Sequence, residues 1–237
     1  MNIRRLSLHI TVMLIGALLF CKQIQAATYV NQTRLIVTEK SREVSFSIVN
    51  EGDAPVLMQL WSDRGTLLER PEIIKMPFII TPPVFRLEGG KSRAIRLQLV
   101  GHTQDLVADR ESIFWLNALE VPQKPNANNN RNVLQMAFRT RIKLLYRPAA
   151  TANTTIEDAV KTLRTVITSS GVKLENRSPL HISLLSVTLA GGRTLSSLPN
   201  EGTVAPFTGM EIPLSHVESL AAVTWIDDFG VAHVNRF

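Results

Sequence analysis

The chain predicts an all-β fold made of sandwiches. Turn signals recur about every ten residues, the extended stretches between them are short, and few segments repeat with a helical period. Taken in order from Ala27, Arg34 to Val37 is a short apolar strand, and Val44, Phe46 and Ile48 then alternate with Ser45, Ser47 and Val49. Alternation marks a strand because successive side chains leave opposite faces of the pleat. Asn50-Glu51-Gly52-Asp53 is a turn cluster, and Val56 to Trp61 is extended again. Gly89-Gly90 introduces Ser92 to Val100, whose apolar positions are Ala94, Ile95, Leu97 and Leu99. Residues 103–112 offer one helical turn before Ile113 resumes a strand that ends at Val121. Pro122 to Asn132 is polar, rich in proline and asparagine, and suited to an antiparallel reversal.

The following stretch is the longest. In Val133 to Arg147, one face carries Leu134, Met136, Phe138, Ile142, Leu144 and Tyr146, interrupted only by Thr140. The other carries Gln135, Ala137, Arg139, Arg141, Lys143 and Arg147. Fifteen residues at about 3.3 Å each span roughly 50 Å, whereas an ordinary strand has about six residues. A sandwich core does not easily cover so long an apolar ridge. Either the strand crosses more than one layer of structure, or part of it is offered to a partner. An ordinary core strand followed by a basic turn is the plainer alternative.

Pro148-Ala149-Ala150 ends that strand, and Thr151 to Thr155, small and polar, reads as a linker. Residues 151–237 repeat the β vocabulary in Val172-Lys173-Leu174, Ile182 to Leu189, Met210 to Leu214 and Ala221 to Ile226, with a turn at Gly191-Gly192. The division this suggests is a first domain over 27–148 and a smaller one over 149–237, with a single large sandwich as the alternative.

Ahead of these lies a targeting segment. Arg4 and Arg5 precede an almost wholly apolar run from Ile10 to Cys21, and Gln25-Ala26-Ala27 supplies small residues. This is the layout of an export signal, residues 1–26, cleaved after Ala26. The run is shorter than the about 20 residues of a membrane span. Cys21, the one cysteine, leaves with the signal, so the exported chain relies on burial and not on disulfides. Arg4, Arg5 and Lys22 leave too, which leaves 23 basic against 20 acidic side chains and takes the net charge from +6 to +3. So weak an excess, with no clustered basic surface and no interleaved aromatics, argues against nucleic acid as a partner.

Catalytic signatures are missing. His9, His102, His181, His216 and His233 are scattered without metal-site spacing, and there is no G-x-S-x-G elbow. Gly90-Lys91-Ser92 copies the end of a phosphate-binding loop, but the glycine required five residues before Gly90 is Phe85. We expect neither cofactor nor metal, and no enzyme.

A resemblance then becomes visible. Asp109-Arg110-Glu111-Ser112-Ile113-Phe114-Trp115-Leu116-Asn117, running on to Glu120-Val121-Pro122, resembles the signature of the periplasmic pilus-assembly chaperones, the PapD-like family. Val133 to Phe138 and Arg141 to Pro148 look like that family's long donor strand. Thr81-Pro82-Pro83, Arg86-Leu87 and Trp225-Ile226-Asp227-Asp228-Phe229-Gly230 match as well, so the likeness covers nearly the whole exported chain. Val107 and Ala118 depart from the signature, where proline and a larger aliphatic are usual; both are packing changes.

What the resemblance implies is two immunoglobulin-like β-sandwich domains at an angle, with a cleft between them, a fold that PapD shares with many sandwiches. It also implies a periplasmic chaperone. Such a protein binds and stabilises fimbrial subunits by donor-strand complementation, then delivers them to an outer-membrane usher. No nucleotide is required, because the subunit's own folding drives capture. Self-association of the unfilled chain is a further expectation. Carried over by position, Arg34 and Lys143 match the two cleft cations that hold the subunit's C-terminal carboxylate. Leu134, Met136 and Phe138 match the donor-strand side chains that fill the subunit's groove, and Glu111, Arg147 and Asp228 match a charged trio linking the two domains. The loop from Gln123 to Asn132 resembles that of the short-loop branch, which serves rod-like pili. In a flat strand Lys143 faces away from Leu134, Met136 and Phe138, so the resemblance asks for twist or a bulge between them. The competing readings are a secreted adhesive or structural tandem sandwich, which needs no cleft cations, and a sandwich enzyme, which needs a convergent polar pocket.

Overall fold

The structure, a computed structural model, describes residues 28–67, 71–101, 106–124 and 135–237. The export signal read at 1–26 and Leu134 of the long strand lie outside the described residues.

Among the described residues, nine strands make the first sandwich: β1 (Thr28–Val30), β2 (Arg34–Thr38), β3 (Glu43–Asn50), β4 (Val56–Asp63), β5 (Phe78–Thr81), β6 (Val84–Leu87), β7 (Ser92–Leu99), β8 (Ser112–Pro122) and β9 (Phe138–Arg147). They form two sheets, in the orders β1-β3-β7-β5 and β2-β9-β8-β4-β6. The alternation read in the sequence does its work here. Phe46, Ile48, Ile95 and Leu97 come from the first sheet and Leu35, Met58, Leu116 and Leu144 from the second, and all of them meet in one buried cluster. Each such side chain contributes about 1.5–3 kcal/mol on burial, which is what a chain without disulfides depends on.

The second sandwich follows helix α1 (Ile156–Lys161). Its strands are β10 (Arg164–Thr168), β11 (Gly171–Glu175), β12 (Ile182–Leu189), β13 (Thr194–Leu195), β14 (Thr203–Val204), β15 (Gly209–Pro213), β16 (Leu220–Ile226) and β17 (Ala232–Arg236). One sheet runs β10-β11-β15; the other runs β13-β12-β16-β17, with β14 also pairing to β12. Val172, Leu174, Ile182, Val187 and Val223 are fully buried in its core. That core shares no residue with the first, so the chain is two sandwiches and not one.

Two sequence expectations are corrected and one element is added. The long strand begins at Phe138 and runs ten residues to Arg147; Gln135 to Ala137 precede it without strand pairing. The helical turn expected within 103–112 is not formed over Leu106–Glu111, where the chain bends instead. Conversely, α1 was not foreseen: Thr155 caps it, its hydroxyl accepting from the Asp158 amide at 3.1 Å. A helix of six residues makes fewer than two turns, too few for a 3.6-residue period to show.

Candidate functional site

The site is built on β9. On one side β9 pairs antiparallel with β8, in an unbroken register from Ser112↔Tyr146 to Glu120↔Phe138. There is thus no bulge in β9, and Lys143 and Phe138 lie on opposite faces of a regular strand. On the other side β2 pairs with it in parallel, but only from Arg34↔Lys143 to Thr38↔Arg147. From Phe138 to Ile142 no strand among the described residues flanks β9 on that second side. An unpaired edge of this kind is a template for another strand.

The apolar ridge divides at the same point. Leu144 and Tyr146 are buried in the first core, with Ile142 packed against it. Phe138 is 59% exposed and Met136 53%, so neither is enclosed by its own sandwich.

The opposite face of β9 looks towards the second sandwich. Lys143 Nζ donates to Ser183 Oγ at 2.8 Å, and Arg34 Nη1 donates to the Ile226 carbonyl at 3.4 Å. Arg34 is only 8% exposed, and its Nε has no hydrogen-bond acceptor. Among the described residues, neither cation has a carboxylate within 4.0 Å. Burial, reinforced by the neighbouring Arg34 charge, lowers the Lys143 pKa to about 8. Burial likewise lowers that of Arg34, although Asp228, Asp227 and Glu111 partly offset it. A buried and a half-buried cation side by side, without a counter-ion in contact, are stabilised by an arriving anion.

Further along the same face, the cations already share a carboxylate. Arg141 Nη2 donates to Asp63 Oδ1 at 2.8 Å, and Arg139 Nη2 approaches Asp63 Oδ2 at 3.4 Å. Asn117 links them, donating to Asp63 at 2.7 Å and accepting from Arg139 Nε at 2.8 Å. The guanidinium of Arg141 lies 4.1 Å from the Trp115 ring centroid and that of Arg139 5.1 Å from that of Trp61.

At the far end of β9, Arg147 forks between carboxylates. Its Nε donates to Glu111 at 2.7 Å, and its two terminal nitrogens grip Asp228 at 2.6 and 2.7 Å. Glu111 also accepts from the His181 amide at 2.9 Å and contacts His181 Nδ1 at 2.9 Å. Glu111 precedes β8 and Asp228 follows β16, so this cluster spans both sandwiches. Asp227 takes no part in the fork; it accepts from the Phe229 and Val231 amides and shapes their turn.

The structure therefore brings Arg34 beside Lys143 and gathers Glu111, Arg147 and Asp228, while Phe138 at the start of β9 and Met136 just before it stand exposed. Sequence reasoning missed Asp63, Ser183 and His181. Asp63 and Arg141 are 78 residues apart, and no local pattern announces such a pair.

Residues 27–152 match the family described as pili and flagellar-assembly chaperone, PapD N-terminal domain, and residues 158–237 match pili assembly chaperone PapD, C-terminal domain. The chain is 33% identical over 210 residues to the chaperone protein FimB/FhaD of Bordetella pertussis, spanning 87% of this chain and 85% of that one. The CupB2 chaperone of Pseudomonas aeruginosa superposes with a TM-score of 0.73 at 32% identity, over 87% of this chain and 97% of that one. The Salmonella enterica SafA pilin–SafB chaperone complex contains a chain that matches with a TM-score of 0.71 at 27% identity, over 91% of this chain and 99% of that one. With both sandwiches accounted for in this way, the chain belongs to the pili assembly chaperone family.

Proposed function

We propose that this protein is a non-enzymatic periplasmic chaperone that captures pilus subunits by lending them a strand. The observation that carries the reading is the coincidence of three features on β9. An unpaired edge runs from Phe138 to Ile142, Met136 and Phe138 stand exposed beside it, and Arg34 and Lys143 wait uncompensated where the edge ends. A subunit strand laid along that edge would continue the line of β2 and run parallel to β9, so its C-terminal carboxylate would arrive at the two cations. Its groove would cover Met136 and Phe138, each worth about 1.5–3 kcal/mol when fully buried. Leu134, which lies outside the described residues, is assigned the same role.

The remaining parts follow from that reading. Residues 1–26 direct export and are removed; the domains divide at Pro148; and Glu111, Arg147 and Asp228 hold the angle between the sandwiches across the cleft. The loaded chaperone passes its subunit to an outer-membrane usher, and the unfilled protein covers its ridge by self-association. The relative solved with a pilin supports a subunit as the partner. A secreted adhesive tandem sandwich would have no reason to keep Arg34 and Lys143 together without a counter-ion.

The test is co-expression with the pilus subunit encoded beside the gene. Lys143→Ala and Arg34→Ala each abolish co-purification of the subunit, while circular dichroism of the free protein is unchanged. A subunit retained by the double variant rejects the anchor.

A further inference from the structure

Strand addition along β9 raises a problem of register. A slip of one residue turns every side chain of the incoming strand to the wrong face, so the groove's alternation forbids it. A slip of two residues, about 6.6 Å, keeps every side chain on its proper face. Packing alone discriminates poorly against it. The terminal anchor must do so, yet one face of β9 carries Arg139, Arg141 and Lys143 at two-residue spacing. Arg141 is a capable competitor: its buried Nε has no acceptor in the free protein.

Resting on the strand-capture reading above, we infer that Asp63 is a positioning residue that sets the register of the captured strand. By engaging Arg141 closely and Arg139 more loosely, it leaves Arg34 and Lys143 as the anchor on this face. Asp63 is fully buried at the end of β4 and lies opposite Trp115 of β8, which in turn lies opposite Lys143. From there its two oxygens reach past Lys143's row to Arg141 at 2.8 Å and Arg139 at 3.4 Å. The second contact is backed by Asn117 and by the Leu67 carbonyl, which accepts from Arg139 Nη1 at 2.7 Å. Burial works against ionising Asp63, but hydrogen bonds from Arg141, Asn117 and the Gly65 amide outweigh it and hold the carboxyl below its ordinary range. Asp63 is therefore ionised beside Arg141 at neutral pH.

The experiment measures binding of a synthetic peptide of alternating valine and threonine, led by lysines for solubility. It is made once with a free α-carboxyl and once as the C-terminal amide. The parent protein prefers the free acid by about tenfold or more, and Lys143→Ala loses that preference. In Asp63→Asn with Lys143→Ala the preference returns, because Arg141 is now available; adding Arg141→Ala removes it again. A combined Asp63→Asn and Lys143→Ala variant that stays indifferent to the carboxyl, although the parent discriminates, overturns the role of Asp63. A parent that does not discriminate overturns the cleft reading and this inference with it.

Asp63→Ser, which still accepts from the Gly65 amide, replaces Asp63→Asn should the latter not fold. A measurement on the parent needs no variant at all. Exchanging acid for amide peptide shifts the Lys143 ammonium resonance and leaves the Arg141 guanidinium resonances in place; equal shifts at both sites overturn the inference.

Discussion

One face of the sheet formed by β2 and β9 holds two pairs of cations in opposite electrostatic conditions. Arg139 and Arg141 share a buried carboxylate, a buried amide and two indole faces. Arg34 and Lys143, one step along the same sheet, have a hydroxyl and a distant carbonyl. The first pair is finished by the fold. The second is finished only when an anion arrives. The difference shows that a stretch with uniform basic character in the sequence can be partitioned, by one residue from another strand, into structural and receptive halves.

The largest effect should come from breaking the finished pair. Asp63→Ala leaves Arg139 and Arg141 facing an uncharged cavity and destabilises the free protein by about 3 kcal/mol, read as a lower urea midpoint. A change indistinguishable from a neutral surface substitution would mean that the two cation pairs do not differ as described.

The unfinished pair should answer in the opposite sense. Lys143→Met removes a half-buried uncompensated charge and stabilises the free protein by about 1–2 kcal/mol at neutral pH, measured by thermal unfolding. The pH dependence follows from the same group. Lys143 titrates near 8 in the folded protein against an ordinary 10.5, so between those values the unfolded chain holds a proton that the folded chain has released. Stability therefore rises with pH across that window, and the rise is absent in Lys143→Met. An anion in the cleft raises the lysine's pKa again, so capture weakens as pH climbs past 8. Stability that falls across the window would reverse the assignment.

The smallest effect belongs to the exposed reach of the strand. Phe138→Ser and Met136→Glu change the unfolding free energy of the free protein by no more than about 0.5 kcal/mol, because both side chains already face solvent. Subunit co-purification nevertheless falls. A loss of stability equal to the loss of capture would place these residues in the protein's own core.

Much of the fold was legible. Val44, Phe46 and Ile48, or Ile182 to Leu189, announce strands because a period of two is a local property of the chain. The ridge from Leu134 to Tyr146 was legible as a face but not as two halves. Alternation says which side chains share a side, whereas cover depends on where β2 starts, and Arg34 is far from β9 in sequence. The residues of the cleft were named through resemblance. The choice of Asp228 over Asp227 came with that resemblance, while the fork by which Arg147 grips it is a property of the fold.

By itself, the sequence determined that the chain is all-β, with turns, strand faces and family resemblance to match, since each is encoded by neighbours a few residues apart. Which charges are spent and which are left open is a property of the folded chain. Neutralising a buried cation requires a partner within a few ångströms, and in this chain that partner comes from a strand many residues away.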